Sequence, residues 1–293
     1  MSEALRRLSR RAGALDPMAL ALRLTLLDLL LRPVGKGLVR PATLLLAGAG
    51  LVLPALLGNG VFWLALAVAA AARVVSAWPL GDNHAYLLAY WCLAVALSCA
   101  VRDRDATPAA SARWMLGLVF GFAVLWKAIS PDYLDGRFFR VTLAADPRFE
   151  VFTQLAAGLD ADELAAQRRF LVQHVDDALG APETGPPEPP RLRAVAFGAT
   201  WATFAAEMAL ALAFLWPQGR GPSRWRDPLL LAFCAGTYAV APVEGFGWLL
   251  LAMGLAQCDR ARPWLRAAYP AVFALLVVYR ELPWGRWLLA LAR

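Results

Sequence analysis

Seven stretches of the chain are apolar almost without interruption: about 41 to 57, 60 to 78, 84 to 101, 112 to 129, 193 to 216, 229 to 256 and 264 to 280. Charged residues and prolines gather at their ends, as in Trp78-Pro79, Arg102-Asp103-Arg104-Asp105 and Ser130-Pro131. A helix of roughly 20 apolar residues crosses the hydrocarbon core of a bilayer. The pattern therefore predicts an all-α, polytopic membrane helix bundle of about seven spans, within a range of six to eight. Gly58-Asn59-Gly60 suits a tight hairpin between the first two spans. The sixth run contains Pro242, Glu244, Gly245 and Gly247, which predicts a kink or break at mid-length. Residues 17 to 32 are apolar too, but the run is short and Arg23 and Asp28 interrupt it, so it reads as an interfacial or partly inserted helix.

Between 130 and 192 charges rise and apolar residues fall to helical spacing, which marks one polar insert. Asp160 followed by Glu163 is a capping-box start. Leu164, Leu171, Val175 and Leu179 then recur up to Gly180, predicting an amphipathic helix on the membrane surface or against the bundle. The proline-rich PETGPPEPP returns the chain to the membrane. The expected organisation is a basic N-terminus with an interfacial helix (1–40), four membrane helices (41–129), the insert (130–192), and three membrane helices with a tail (193–293). No internal repeat is visible, which speaks against a transporter built on inverted repeats.

Composition agrees with this reading. The 293 residues are 60% hydrophobic and 17% charged, whereas a soluble domain carries about a quarter charged residues. The net charge of +7 does not form an aromatic-interleaved basic stripe, so nucleic acid is not an expected partner; arginines at the ends of apolar runs suit lipid headgroups. The basic residues are Arg except for Lys36 and Lys127, a bias that reads as codon usage and says little about function. Arg6, Arg7, Arg10 and Arg11 favour a cytoplasmic N-terminus, and no signal-peptide cleavage pattern follows them. Cys92, Cys99, Cys234 and Cys258 form no C-x-x-C pair, and with only His84 and His174 no metal or haem site is expected.

Ionisable residues inside spans are expensive unless paired or wet, so they are the places to look for chemistry. Arg73, near a helix end, reaches headgroups by snorkelling. Lys127 is the only Lys in any span: it is either a base in a low-dielectric pocket or a headgroup anchor that caps the last carbonyls. Glu207, near the middle of the fifth span, either fixes helix packing by a hydrogen bond or belongs to a polar interior. Glu244 either lines the broken sixth helix or satisfies backbone groups freed there. Asn83-His84 opens the third span, where an imidazole can move protons or simply cap and pack.

Asp82-Asn83-His84 ahead of a span, the next span closing on Lys127, and then Ser130-Pro131-Asp132-Tyr133-Leu134-Asp135-Gly136 together resemble the vitamin K-dependent γ-carboxylase-like membrane fold, also called the horizontally transferred transmembrane (HTTM) domain. In that family an Asn-His pair precedes one helix, and the next ends in a Lys followed by a short stretch leading to an aromatic and a Gly. Glu207 falls where such proteins carry a Glu in a later span. The resemblance covers roughly residues 17 to 280 and implies that Lys127 deprotonates reduced vitamin K or another quinol, with His84 supporting the same pocket. Oxygenation then yields an alkoxide strong enough to remove a γ-proton from glutamate. Trp126 stands where the animal enzymes carry a second Lys, and Lys127 and Gly136 are one residue further apart than in the family. The sequence also contains no large propeptide-gripping domain, and is similar to bacterial short forms that resemble the bare membrane domain.

The site drawn from residues and resemblance has Lys127 and His84 as catalytic groups and Asn83, Glu207 and Glu244 as substrate contacts. Two other readings stand beside a quinol-linked enzyme. One is a non-catalytic membrane subunit or scaffold that docks a partner protein or peptide through the amphipathic helix. The other is a small-solute transporter, for which the broken sixth helix is the argument.

Overall fold

Asp16 opens the first helix by accepting a hydrogen bond from the Ala19 amide at 3.0 Å, and Pro17 supplies the fixed φ of the first turn. The computed structural model describes residues 16–79, 83–101, 106–173, 189–241, 243, 245–281 and 287. Among these it has thirteen α-helices and no strand. They fall into two compact units, one within Met1–Val119, Leu210–Ala235 and Glu244–Leu276, the other within Phe120–Ala209, Gly236–Val243 and Val277–Arg293.

In the first unit, α1 (Pro17–Leu31) packs against α2 (Val39–Val52) and α12 (Phe246–Gln257). Ala21, Leu26 and Leu29 are fully buried, so α1 belongs to the core of this unit. The reason is that its apolar residues point to every side, which favours burial all round over lying at a surface. Thr25 makes burial tolerable: its hydroxyl donates to the Ala21 carbonyl and accepts from the Trp91 indole, both at 3.0 Å. A 3-10 turn, Pro54–Gly58, leads to α3 (Gly60–Ser76), where Asn59 caps the helix by accepting from the amides of Val61 and Phe62 at 2.9 and 3.1 Å. At Gly60 a Cβ would stand 3.0 Å from the Ala96 carbonyl, so glycine lets α3 lie close against α4 (Asn83–Ser98).

Two helices are long and apolar enough to cross a membrane: α5 (Ala106–Ile129, 24 residues) and α10 (Pro190–Leu215, 26 residues). Only 28% of the most apolar window of each is buried, which distinguishes them from the core helices of a soluble protein. The other apolar runs form shorter helices. The sixth run is broken, as its proline and glycines predict, into α11 (Arg226–Val240) and α12. The chain enters α12 through Gly245 at φ +78°, where a Cβ would collide with the Arg32 guanidinium carbon at 1.9 Å. The last helix, α13, runs Pro263–Glu281.

In the second unit the polar insert is more than one surface helix. It contains α6 (Pro131–Leu134), α7 (Arg137–Ala145), α8 (Glu150–Ala157) and α9 (Ala161–Gln173). Tyr133, Phe139, Leu143 and Leu164 form a small core of their own with Leu192 and Ala196 of α10. Turns at Gly136 and Gly158, with φ +82° and +68°, allow such short helices to fold back. The amphipathic helix starts as predicted: the Glu163 amide donates to Asp160 at 2.7 Å, and the Asp160 amide donates to the Glu163 carboxylate at 3.0 Å. Its predicted continuation through Val175 and Leu179 lies outside the described residues. Asp160→Ala should weaken α9 by about 1 kcal/mol. Faster hydrogen exchange confined to the amides of Ala161–Gln173 is the expected readout.

Candidate functional site

Ser130-Pro131 ends α5 and starts α6 at once, because proline cannot continue the first helix but fits the first turn of the second. Lys127 thus sits in the last turn of α5, and Tyr133 folds back one short helix later. At Gly136 a Cβ would meet the Phe197 Cα of α10 at an ordinary contact distance of 3.4 Å, so it is the φ of +82° that calls for glycine between α6 and α7.

The result is a three-residue cluster. Lys127 Nζ donates to Glu207 Oε2 of α10, an ion pair whose side chains retain 16% and 11% exposure. The Tyr133 ring lies over Nζ, 5.1 Å from ammonium to ring centroid, in cation–π range. Tyr133 is itself buried, and its hydroxyl, with Thr203 nearby, makes no hydrogen bond of ordinary geometry. Burial, followed by the negative charge of Glu207, pushes this hydroxyl well above the usual phenol range. It therefore stays protonated and has a hydrogen-bond donor to offer. Of the two readings open for Lys127, a cap on helix carbonyls does not describe its main contact, which is a carboxylate 80 positions away in sequence.

Asn83 and His84 belong to the first unit, in the opening turn of α4; Asn83 is exposed, and the His84 ring is 6.3 Å from the Phe246 ring. Glu244 and His174 lie outside the described residues. Arg73 is in the last turn of α3, a position that suits headgroup contact.

Sequence reasoning missed a second polar cluster, in the first unit. Asp227 Oδ1 accepts from Gln257 Nε2 at 2.6 Å and from the Tyr269 hydroxyl at 2.8 Å, while Arg226 Nε stands 3.8 Å from Oδ2. All four side chains are buried. Gly254 makes the arrangement possible, since a Cβ there would lie 2.4 Å from Tyr269 Cε1. The only signal for it was three polar residues at run ends, a pattern that solvated loops share.

No protein-family model matches the chain, and no curated protein or solved structure matches it. Function is therefore argued from the Lys127–Glu207–Tyr133 geometry.

Proposed function

We propose that this chain is an integral protein of the bacterial inner membrane, a bundle of about seven spans of the γ-carboxylase-like (HTTM) type, in which the Lys127–Glu207 pair acts on a quinol. The observation that carries the reading is a paired ammonium and carboxylate between the two long apolar helices, roofed by an aromatic ring. Charges so placed are retained at a cost that function readily accounts for. A quinol matches the residues in kind: the Tyr133 ring offers it an aromatic face, and the buried Tyr133 hydroxyl beside Thr203 offers a donor. When bound, a quinol supplies an acidic hydroxyl and reducing equivalents.

The division of labour differs from the one the resemblance implies. Nζ is the donor and Oε2 the acceptor in the pair, so Glu207 is the group able to take a proton while Lys127 holds positive charge beside the anion that forms. Lys127 then takes part in the transfer through its shared proton. The scaffold alternative has less apolar surface to work with, because Leu164 of α9 is taken up by the insert's own core.

The test is reconstitution in lipid with and without reduced menadione, following thermal stability and oxygen uptake. Quinol-dependent stabilisation and uptake are expected in the wild type, with uptake abolished in Lys127→Ala and Glu207→Gln. Tyr133→Phe keeps the ring and should bind more weakly by about tenfold, the value of one hydrogen bond. A wild-type protein that neither binds quinol nor consumes oxygen would overturn the proposal.

A further inference from the structure

We propose that one end of the first unit, where α10 stops, α11 starts, α12 stops and α13 starts, is a docking face for anionic phospholipid headgroups of the cytoplasmic leaflet. The inference rests on the membrane reading above, but not on the quinol chemistry.

The two loops at this end, 216–225 and 258–262, carry Arg220, Arg224, Arg260 and Arg262, and hydrogen bonds to the backbone tie them together. Arg262 Nη1 donates to the Arg224 carbonyl at 3.3 Å, and Arg226 Nη2 donates to the Gln257 carbonyl at 3.5 Å. Arg113 of α5 donates to the Phe214 carbonyl at 3.0 Å and also to that of Trp216, fixing the end of α10 to the same place. Arg220 lies in the first loop, Arg260 in the second, and Arg266 one turn into α13.

Among the described residues three aspartates answer these seven arginines, and all three are already engaged. Asp16 faces Arg260 at 3.4 Å. Asp227 is held in the buried cluster, and Asp259 accepts from the Ala261 amide at 2.9 Å. Positive charge is left over, and Arg220 and Arg224 present it at the surface.

The surroundings of that charge are those of a bilayer interface. Trp225 and Trp264 are 65% and 61% exposed, and Trp216 is exposed beside them. Exposed indoles among arginines, at the ends of apolar helices, match the headgroup layer and no aqueous partner. A free anion would be met by the guanidinium groups alone and would leave the indoles without a role. The opposite end of the unit carries fewer cations, Arg32, Lys36, Arg40 and Arg73. The excess of Lys and Arg marks the end that stays on the cytoplasmic side, whose leaflet is the anionic one.

The experiment uses the full chain carrying Arg220→Gln, Arg224→Gln and Arg262→Gln together, all at positions outside the buried core. Wild type, this variant and a Lys36→Gln/Arg40→Gln control are placed in nanodiscs of phosphatidylcholine alone or with added phosphatidylglycerol. Phosphatidylglycerol should raise the Tm of wild type and control and be retained by them on detergent extraction. The triple variant should lose the rise and retain about tenfold less of this lipid. Equal retention by the triple variant overturns the proposal, and so does a Tm rise reproduced by inorganic phosphate, which would assign a free-anion site. In the same membranes, Gln218→Cys should react with an impermeant maleimide in inverted vesicles and not in intact cells; the reverse places this end outside. A chain that leaves the membrane fraction without detergent would instead refute the membrane reading itself.

Discussion

Glu207→Ala, with Lys127 left in place, should lower the stability of the protein by about 3–5 kcal/mol, because it strands an ammonium in a mostly buried position. Lys127→Ala should cost a similar amount by stranding the carboxylate. The double replacement Lys127→Met/Glu207→Leu removes both charges and keeps the volume, so most of the loss should return. The check is a double-mutant cycle of unfolding free energies in detergent. A coupling near zero would mean that the two side chains do not share a low-dielectric site. The same cycle separates stability from function, since the double variant should fold and yet be silent towards quinol.

Asp227→Ala is expected to be at least as damaging, at about 3–5 kcal/mol. It leaves Arg226 buried without its counter-charge and strips an acceptor from both Gln257 and Tyr269. Each lost acceptor adds the desolvation of a donor. Tyr269→Phe removes one donor only and should cost about 1 kcal/mol. Comparing the two midpoints in a denaturant series shows whether the cluster acts as one unit. If the Asp227 variant is no worse than the Tyr269 variant, the carboxylate is not the hub that the distances indicate.

Much of this was legible in the sequence where the signal is local. Apolar runs gave the helices, proline and glycine at 242 to 247 gave the break, and Asp160 with Glu163 gave the capping box, because each depends on neighbours within a turn or two. Lys127 and Glu207 stood out because charge inside an apolar run is rare. The resemblance put them in one site, but their direct contact was not readable, since hydropathy says nothing about which faces of two distant helices meet. Tyr133 appeared only as part of a motif, and its place over Nζ depends on the reversal at Ser130-Pro131. The insert was under-read because helices of four to nine residues, such as α6, α7 and α8, are too short to display a period. The depth to which α1 is buried was not legible, because Arg23 and Asp28 looked like surface residues. Asp28 is in fact enclosed, with neither carboxylate oxygen hydrogen-bonded among the described residues.

Gly254 shows how far one absent atom group can reach. The Tyr269 ring occupies the space a side chain would take there, and from it the hydroxyl extends to Asp227. Residue 254 is therefore a length gauge: it sets the distance between a helix axis and a carboxylate on another helix. Drift at this position is limited by the geometry of a hydrogen bond made elsewhere, and a tolerance map of the chain would show a forbidden site with no chemistry of its own.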